Sequence, residues 1–402
     1  MKHPLPAARA ALIALALAAV SSASAQEKIK IGMAISKTGP NTPGAAATVL
    51  GNYRLWLSEV QAAGGITLKK TGKKVPIELV EYDDRSQSEE VVRLTERLIS
   101  EDKVDFILGP WGTAFNSAVA PLLSKNSYPH LAVTFTVEDP ARFTKRFPNL
   151  FVYSGSSIDY AEGLVEILNA MRSRGAIGNT VAMVGVSEQF GLELASAGRK
   201  AFKKAGFNLV MDKSYPLGSQ DLAAIITEAS RANPDVFVAM SYPPDTLGLT
   251  EQARSLKFNP KVFYTAIGTA FPIYRTRFAK NTEGVFGMGG WNPESPQSKS
   301  YLERYKKANN GSEPDRFASP MVYTSLQMLQ QAIERVGVDR KAVVKELGSG
   351  TFDTIVGQVK MVNQQMRTLY RVAQWQDGEY LAVWPQELPG TAPYRTNKPA
   401  WQ

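Results

Sequence analysis

The residues best placed to do chemistry lie in the run Gly109-Pro110-Trp111-Gly112-Thr113. It follows an apolar, strand-like segment, Val104–Leu108, and precedes a segment from Thr113 to Lys125 whose apolar spacing predicts a helix. The first N–H groups of a helix lack intrahelical partners and carry a partial positive charge, which suits a carboxylate. Gly112 lets the backbone come close to a bound group. The Thr113 hydroxyl either caps the helix or donates to a ligand oxygen. Trp111 either walls a cleft or packs between parts of the fold. A second strand-like run, Asp235–Ser241, leads to Tyr242, whose ring is a candidate second wall. Open α/β sheets bind ligands beyond the carboxyl ends of their strands, and both turns fall at such ends.

Other reactive groups are sparse. The chain has no cysteine, which excludes disulfides, thiolate metal sites, a Cys nucleophile and a lipid anchor on an N-terminal Cys. His130 is the one histidine outside the leader, and its apolar strand setting reads as structural. Asp83-Asp84 follows a strand and reads as loop and helix-capping chemistry rather than a catalytic pair. The Gly-rich spots Ala62–Gly65 and Gly287–Gly290 lack the dinucleotide spacing. No metal-ligand cluster is visible, so neither a metal nor a cofactor is expected. The net charge is +9 over 402 residues, but the basic residues are scattered, which does not indicate nucleic-acid binding.

The first 25 residues read as a secretory signal peptide. Lys2 and Arg9 precede a short apolar run, Ala11–Val20, and Ala23-Ser24-Ala25 is a small-residue cleavage site. The apolar run is too short for a membrane anchor. The expectation is an exported, unlipidated, periplasmic protein beginning near Gln26.

The elements that must position these residues alternate. Ile29–Ile35 reads as a strand, Gly44–Ala63 as a helix stopped by Gly64-Gly65, Val75–Tyr82 as a strand and Glu89–Glu101 as a helix. A strand at Pro129–Val133 and a loop at Glu138–Pro148 follow. The pattern then restarts with Phe151–Ser154 and the helix Ser157–Ser173. Strands at Thr180–Val186, Asn208–Tyr215, Asp235–Ser241, Lys261–Ala266 and Gly284–Gly290 come next. They alternate with helices at Gly191–Ala205, Asp221–Ala232 and Thr246–Leu256. Helices at Ser298–Ala308 and Pro320–Val336 and a β-rich end complete the pattern. Such spacing predicts parallel sheets with right-handed crossovers in two consecutive α/β halves.

These segments resemble the type I periplasmic binding proteins of the branched-chain amino acid (Leu/Ile/Val-binding) transport family. The resemblance is carried by "IKIGMAISKTGP", "ELVEYDDRSQSEEVVRLTERLI", "ILGPWGTAFNSAVAP", "EQFGLELASAGRKAFKKAGF" and "DLAAIITEASRANPDVFV", in that order and spacing. It implies an α/β fold of two Rossmann-like lobes joined by a three-strand hinge. It implies a periplasmic substrate-binding component of an ABC uptake transporter, a monomer with no enzymatic activity. Such a protein closes on a small ligand and delivers it to a permease in the inner membrane. Lobe one would span residues 28–150 plus 288–360, lobe two 151–287 plus 361–389, with a tail at 390–402.

The resemblance also assigns roles. Thr113, four residues after the strand-ending Gly109, would bind the ligand carboxylate. The turn Thr134–Val137 would add Thr136 and the Phe135 backbone, although the family's usual Thr falls on Val137 here. Phe190, in "EQFG", would cover the ligand from across the cleft, or else be a core residue at a helix start. Pro121 would be a tolerated kink within its helix. Amino-acid binders of the family hold the α-ammonium with an acidic residue in the loop that here is Tyr264–Phe271, and this loop has none. A desolvated ammonium without an anion costs several kcal/mol. Asp245 in the neighbouring loop is the one substitute. A carboxylate with an apolar or aromatic body is therefore the expected ligand. The alternatives are a hydrophobic amino acid, or the same binding used as the input of a membrane receptor.

Overall fold

The computed structural model describes residues 28–367 and 371–402. The signal-peptide reading falls on residues outside that range. Among the described residues, no helix is long and apolar enough to cross a membrane.

Two separate parallel sheets organise the chain. In the first, Ile29–Ile35 lies between Ile77–Asp83 and Phe106–Ile107. His130–Ala132 and Leu150–Val152 form an adjoining parallel pair. The second sheet has seven strands. Asn208–Tyr215, Thr180–Val186, Val236–Met240, Val262–Thr265 and Phe286–Met288 run parallel across it. Val372–Gln376 and Glu379–Trp384 close one edge antiparallel. Central strands such as Val236–Met240 are buried along their whole length, because helices cover both faces and leave no polar side to alternate with.

The chain passes between the sheets three times. It leaves the first after Leu150–Val152 and returns after Phe286–Met288, when the helices Pro296–Ala308 and Ser319–Val336 pack on Gly51–Ala62. It crosses again before Val372–Gln376, where Val152 and Gln365 form a single bridge. These are the two lobes and three crossovers that the resemblance implied. The C-terminal residues lie against the second sheet. There the Trp401 indole meets the Phe263 ring edge-on at 5.2 Å between centroids and donates to the Phe258 carbonyl at 2.6 Å.

Local chemistry explains where elements start. The Ser157–Ser173 helix opens with a reciprocal Ser156–Asp159 capping box. Glu138–Pro148 is not a plain loop. It holds a helix, Pro140–Arg146, because Asp139 caps it and Pro140 supplies a preset φ at its first turn. The Pro243–Ser255 helix likewise begins three residues before Thr246, at a proline. The Tyr264–Phe271 stretch contains a 3₁₀ turn, Ile267–Ala270, rather than open loop. The long N-terminal helix is Thr42–Ala62, broken by one π turn at Ala46–Leu50. Pro121 sits within Thr113–Lys125 and the helix runs through it.

Candidate functional site

Three neighbours hold the turn between Phe106–Ile107 and the Thr113–Lys125 helix. The Tyr53 hydroxyl donates to the Gly109 carbonyl at 2.9 Å. The Asn116 amide donates to the carbonyls of Pro110 and Gly112, both at 2.9 Å. Its oxygen therefore accepts, and His130 Nε2 lies 2.9 Å away as the donor. His130 Nδ1 is left bare and buried. A second proton would have no acceptor there, and burial drives the imidazole pKa down to about 3. His130 is thus a neutral structural donor that orients the turn through Asn116. Gly109 is required by space, since a Cβ would lie 2.6 Å from the Leu131 carbonyl oxygen. Gly112 is required by conformation, with φ at 101°.

Gly112, not Thr113, is the N-cap residue, and no side chain caps this helix. The capping alternative for Thr113 therefore falls. Its hydroxyl, at the first helical position, accepts from the Thr136 N–H at 3.2 Å and ties the two turns together. The Gly112 N–H donates to the Thr134 hydroxyl at 3.0 Å. The helix end is met from the second sheet. The Tyr242 hydroxyl, which lines the same cavity as Gly112 and Thr113, donates to Glu188 at 2.6 Å.

Rings close the space. Trp111 lies 4.9 Å from Tyr242 between centroids, and Tyr242 stacks on Phe190 at 4.9 Å with an 11° interplanar angle. All three are buried. Trp111 comes from the first sheet and the other two from the second, so the stack spans the cleft. A narrow cavity of about 20 Å³, room for roughly one water, lies among them. It is lined by Trp111, Gly112, Thr113, Thr136, Phe190 and Tyr242, together with Thr48, Thr134, Ile267, Phe317 and Ala318.

Six of the seven residues singled out from the sequence therefore meet at one cavity. Phe135 does not line it. Its ring turns into a separate apolar cluster against Phe143, 5.0 Å away between centroids. Its carbonyl accepts from Ser154 at 2.6 Å, which commits that part of its backbone to the fold. Asp245 is buried on the Pro243–Ser255 helix beside Tyr215 and also lies off the cavity wall. Asp83 ends the strand Ile77–Asp83 and Asp84 begins the loop after it. Asp83 accepts the N–H groups of Lys37 and Arg85, both at 2.9 Å, and Asp84 accepts from Ser36 at 2.6 Å.

Sequence reasoning missed Thr48, Thr134, Ile267, Phe317 and Ala318. For the last two a signal existed. Asp315 accepts the N–H groups of Phe317, Ala318 and Ser319, a capping pattern that places the loop at the start of the Ser319–Val336 helix.

A two-sheet α/β molecule with a ring-lined cavity at the carboxyl ends of its strands can hold a small solute, and no cluster of metal-ligating side chains is present among the described residues. The family model described as "Periplasmic binding protein" matches residues 28–379. The chain belongs to this family. The Leu/Ile/Val-binding protein homolog 7 of Brucella abortus is 24% identical over 93% of this chain and 96% of its own length. Two solved structures share the fold. A branched-chain amino acid transporter substrate-binding protein of Streptococcus pneumoniae, in complex with isoleucine, has a TM-score of 0.75 at 20% identity, covering 88% of this chain and 98% of that one. A solute-binding protein of an ABC transporter from R. palustris, in complex with benzoate, has a TM-score of 0.76 at 17% identity, covering 89% and 95%. As a periplasmic binding protein this chain is a binder rather than an enzyme.

Proposed function

We propose that this periplasmic binding protein captures a small carboxylate-bearing solute with an apolar or aromatic body and delivers it to an inner-membrane permease. One observation carries the reading. The Thr113 helix end, which no side chain caps, faces a cavity lined by four aromatic residues, and no acidic residue lines that cavity. The helix end suits an anion, the rings suit an apolar body, and nothing on the wall would pair an α-ammonium. The benzoate complex of the R. palustris neighbour supports the choice. The ligand would bind between lobe one, residues 28–150 plus 288–360, and lobe two, residues 151–287 plus 361–389. The tail, 390–402, would strap lobe two. The leader, residues 1–25, would direct export and be removed, leaving an unlipidated monomer.

The names of the relatives favour a second reading, a branched-chain or other hydrophobic amino acid. Calorimetry with matched pairs separates the two. Benzoate and 4-hydroxybenzoate are compared with leucine, isoleucine and phenylalanine. The expected result is binding of an aromatic acid in preference to every amino acid. Tight binding of leucine or isoleucine alone would overturn the carboxylic-acid reading.

A further inference from the structure

Phe317 lines two cavities at once. On one side is the small ring-lined cavity that holds the Thr113 helix end. On the other lies a cavity of about 770 Å³, bounded by the hairpin of Phe352–Thr354 and Gly357–Val359 and by the start of the Ser319–Val336 helix. Met321, Ile355 and Val359 bring buried apolar area to it, and Val356 a half-buried side chain. Its charged residues, Glu294, Asp353, Lys360 and Arg367, are all exposed and balance in sign. The inner part of this cavity is therefore apolar. The backbone of Phe317 is fixed, since Asp315 accepts its N–H at 2.8 Å. Its ring is held by packing alone. It rests in the space that Gly289 leaves, where a Cβ would lie 2.3 Å from ring atom Cδ2. It also meets Tyr160 edge-on, with 6.1 Å between centroids. One side chain thus stands between the two cavities, and a side chain can change rotamer without moving the chain.

We propose that the larger cavity is a distal subsite of the cleft. A ligand whose carboxylate meets the Thr113 helix end turns the Phe317 ring aside and lays the far end of its apolar body against Met321, Ile355 and Val356. The inference rests on the reading that the ligand is a carboxylate, and it narrows the class. The small cavity has room for roughly one water, whereas the larger one has room for several methylenes or a second ring. The preferred solute is an arylalkanoate or a medium-chain aliphatic acid, longer than benzoate and neutral at its far end. A charged far end would exchange water for an apolar wall without a partner. Phe317 sets the selection by length. A short acid gains no contact by moving the ring, and a long one offsets the displacement with buried area.

Calorimetry with acids of two lengths tests this. Wild type is expected to bind 4-phenylbutyrate roughly tenfold or more tightly than benzoate, since each further buried methylene adds up to about fourfold. Val356→Asp puts a charge on the distal wall, outside the small cavity. It should weaken 4-phenylbutyrate roughly tenfold or more and change benzoate by less than about threefold. Phe317→Ala, which removes the partition, should widen the preference for 4-phenylbutyrate over benzoate. Tighter binding of benzoate by wild type, or an equal loss of both acids in Val356→Asp, would overturn the subsite and leave the carboxylate reading standing. Leucine and 2-aminooctanoate keep the two failures apart. If these amino acids bind and the acids do not, the carboxylic-acid reading fails. The subsite then stands if 2-aminooctanoate is the tighter of the two and Val356→Asp weakens it alone, and it falls if leucine is the tighter. Binding of no member of either series would overturn both. Thermal melts check that each variant folds, and Val356→Asn serves in place of an aspartate that does not.

Discussion

The two walls of the cleft use one device, a strand running through a turn into a helix, and finish it differently. On the first-sheet wall the helix starts at a glycine with φ at 101° and has no side-chain cap. On the second-sheet wall both helix starts are closed to anions. Glu188 caps Gln189–Lys204 itself, and Pro243–Ser255 opens on two prolines, which have no N–H to give. That wall offers rings instead, Phe190 and Tyr242. The contrast assigns polarity to one side and apolar area to the other, and so fixes which way round a two-ended ligand lies.

The largest expected effect comes from stripping the apolar wall. Phe190→Ala removes a buried ring from a stack, and such losses cost about 3–5 kcal/mol. Denaturant unfolding should register this. Affinity should fall more for an aromatic acid than for a small aliphatic one. An equal fall for both would mean that the two walls are not divided as described.

The polar wall should be the acid-sensitive one. His130 has a folded pKa of about 3 against an ordinary value of 6.5. Between these values the unfolded chain binds the proton and the folded chain does not, so stability rises with pH across this window and is lost as pH falls below about 6.5. From pH 7 to pH 5 the loss should reach about 2 kcal/mol. His130→Gln should flatten that slope in denaturant titrations. A slope that survives the substitution would move the sensitivity elsewhere in the molecule.

The smallest effect concerns the tie between the two turns of the polar wall. Thr113→Ala loses the bond from the Thr136 N–H, worth about 0.5–1.5 kcal/mol. Acid affinity should drop by up to about one decade, while binding of a purely apolar probe stays level, and Thr113→Ser should restore the acid. Loss of both probes together would show that Thr113 holds the wall up rather than serving its polar face.

The same contrast governs what could be read from the sequence. The polar wall is local. Gly109, Gly112 and Thr113 lie within five positions, and the helix from Thr113 to Lys125 follows from their pattern. Tyr242 was legible as a residue at a strand end, and Phe190 through the family resemblance. Glu188 was not, although it stands two positions before Phe190. It meets the Tyr242 hydroxyl at 2.6 Å only because the fold brings together two helix starts far apart in the chain. Phe135 shows the opposite failure. Neighbourhood in sequence put it at the site, and packing against Phe143 turned its ring away. The missed helix at Pro140–Arg146 had a readable start in Asp139-Pro140, hidden by the charge around it.

Trp111 meets Tyr242 across the cleft at 4.9 Å, and it is the one tryptophan among the residues lining the cavity, of six in the chain. Its indole emission therefore depends on whether that ring contact is present. A solute that parts the two rings, or wedges between them, changes the surroundings of this fluorophore and leaves the other five where they are. Binding can then be titrated by intrinsic fluorescence without an attached dye, and a Trp111→Phe protein supplies the blank.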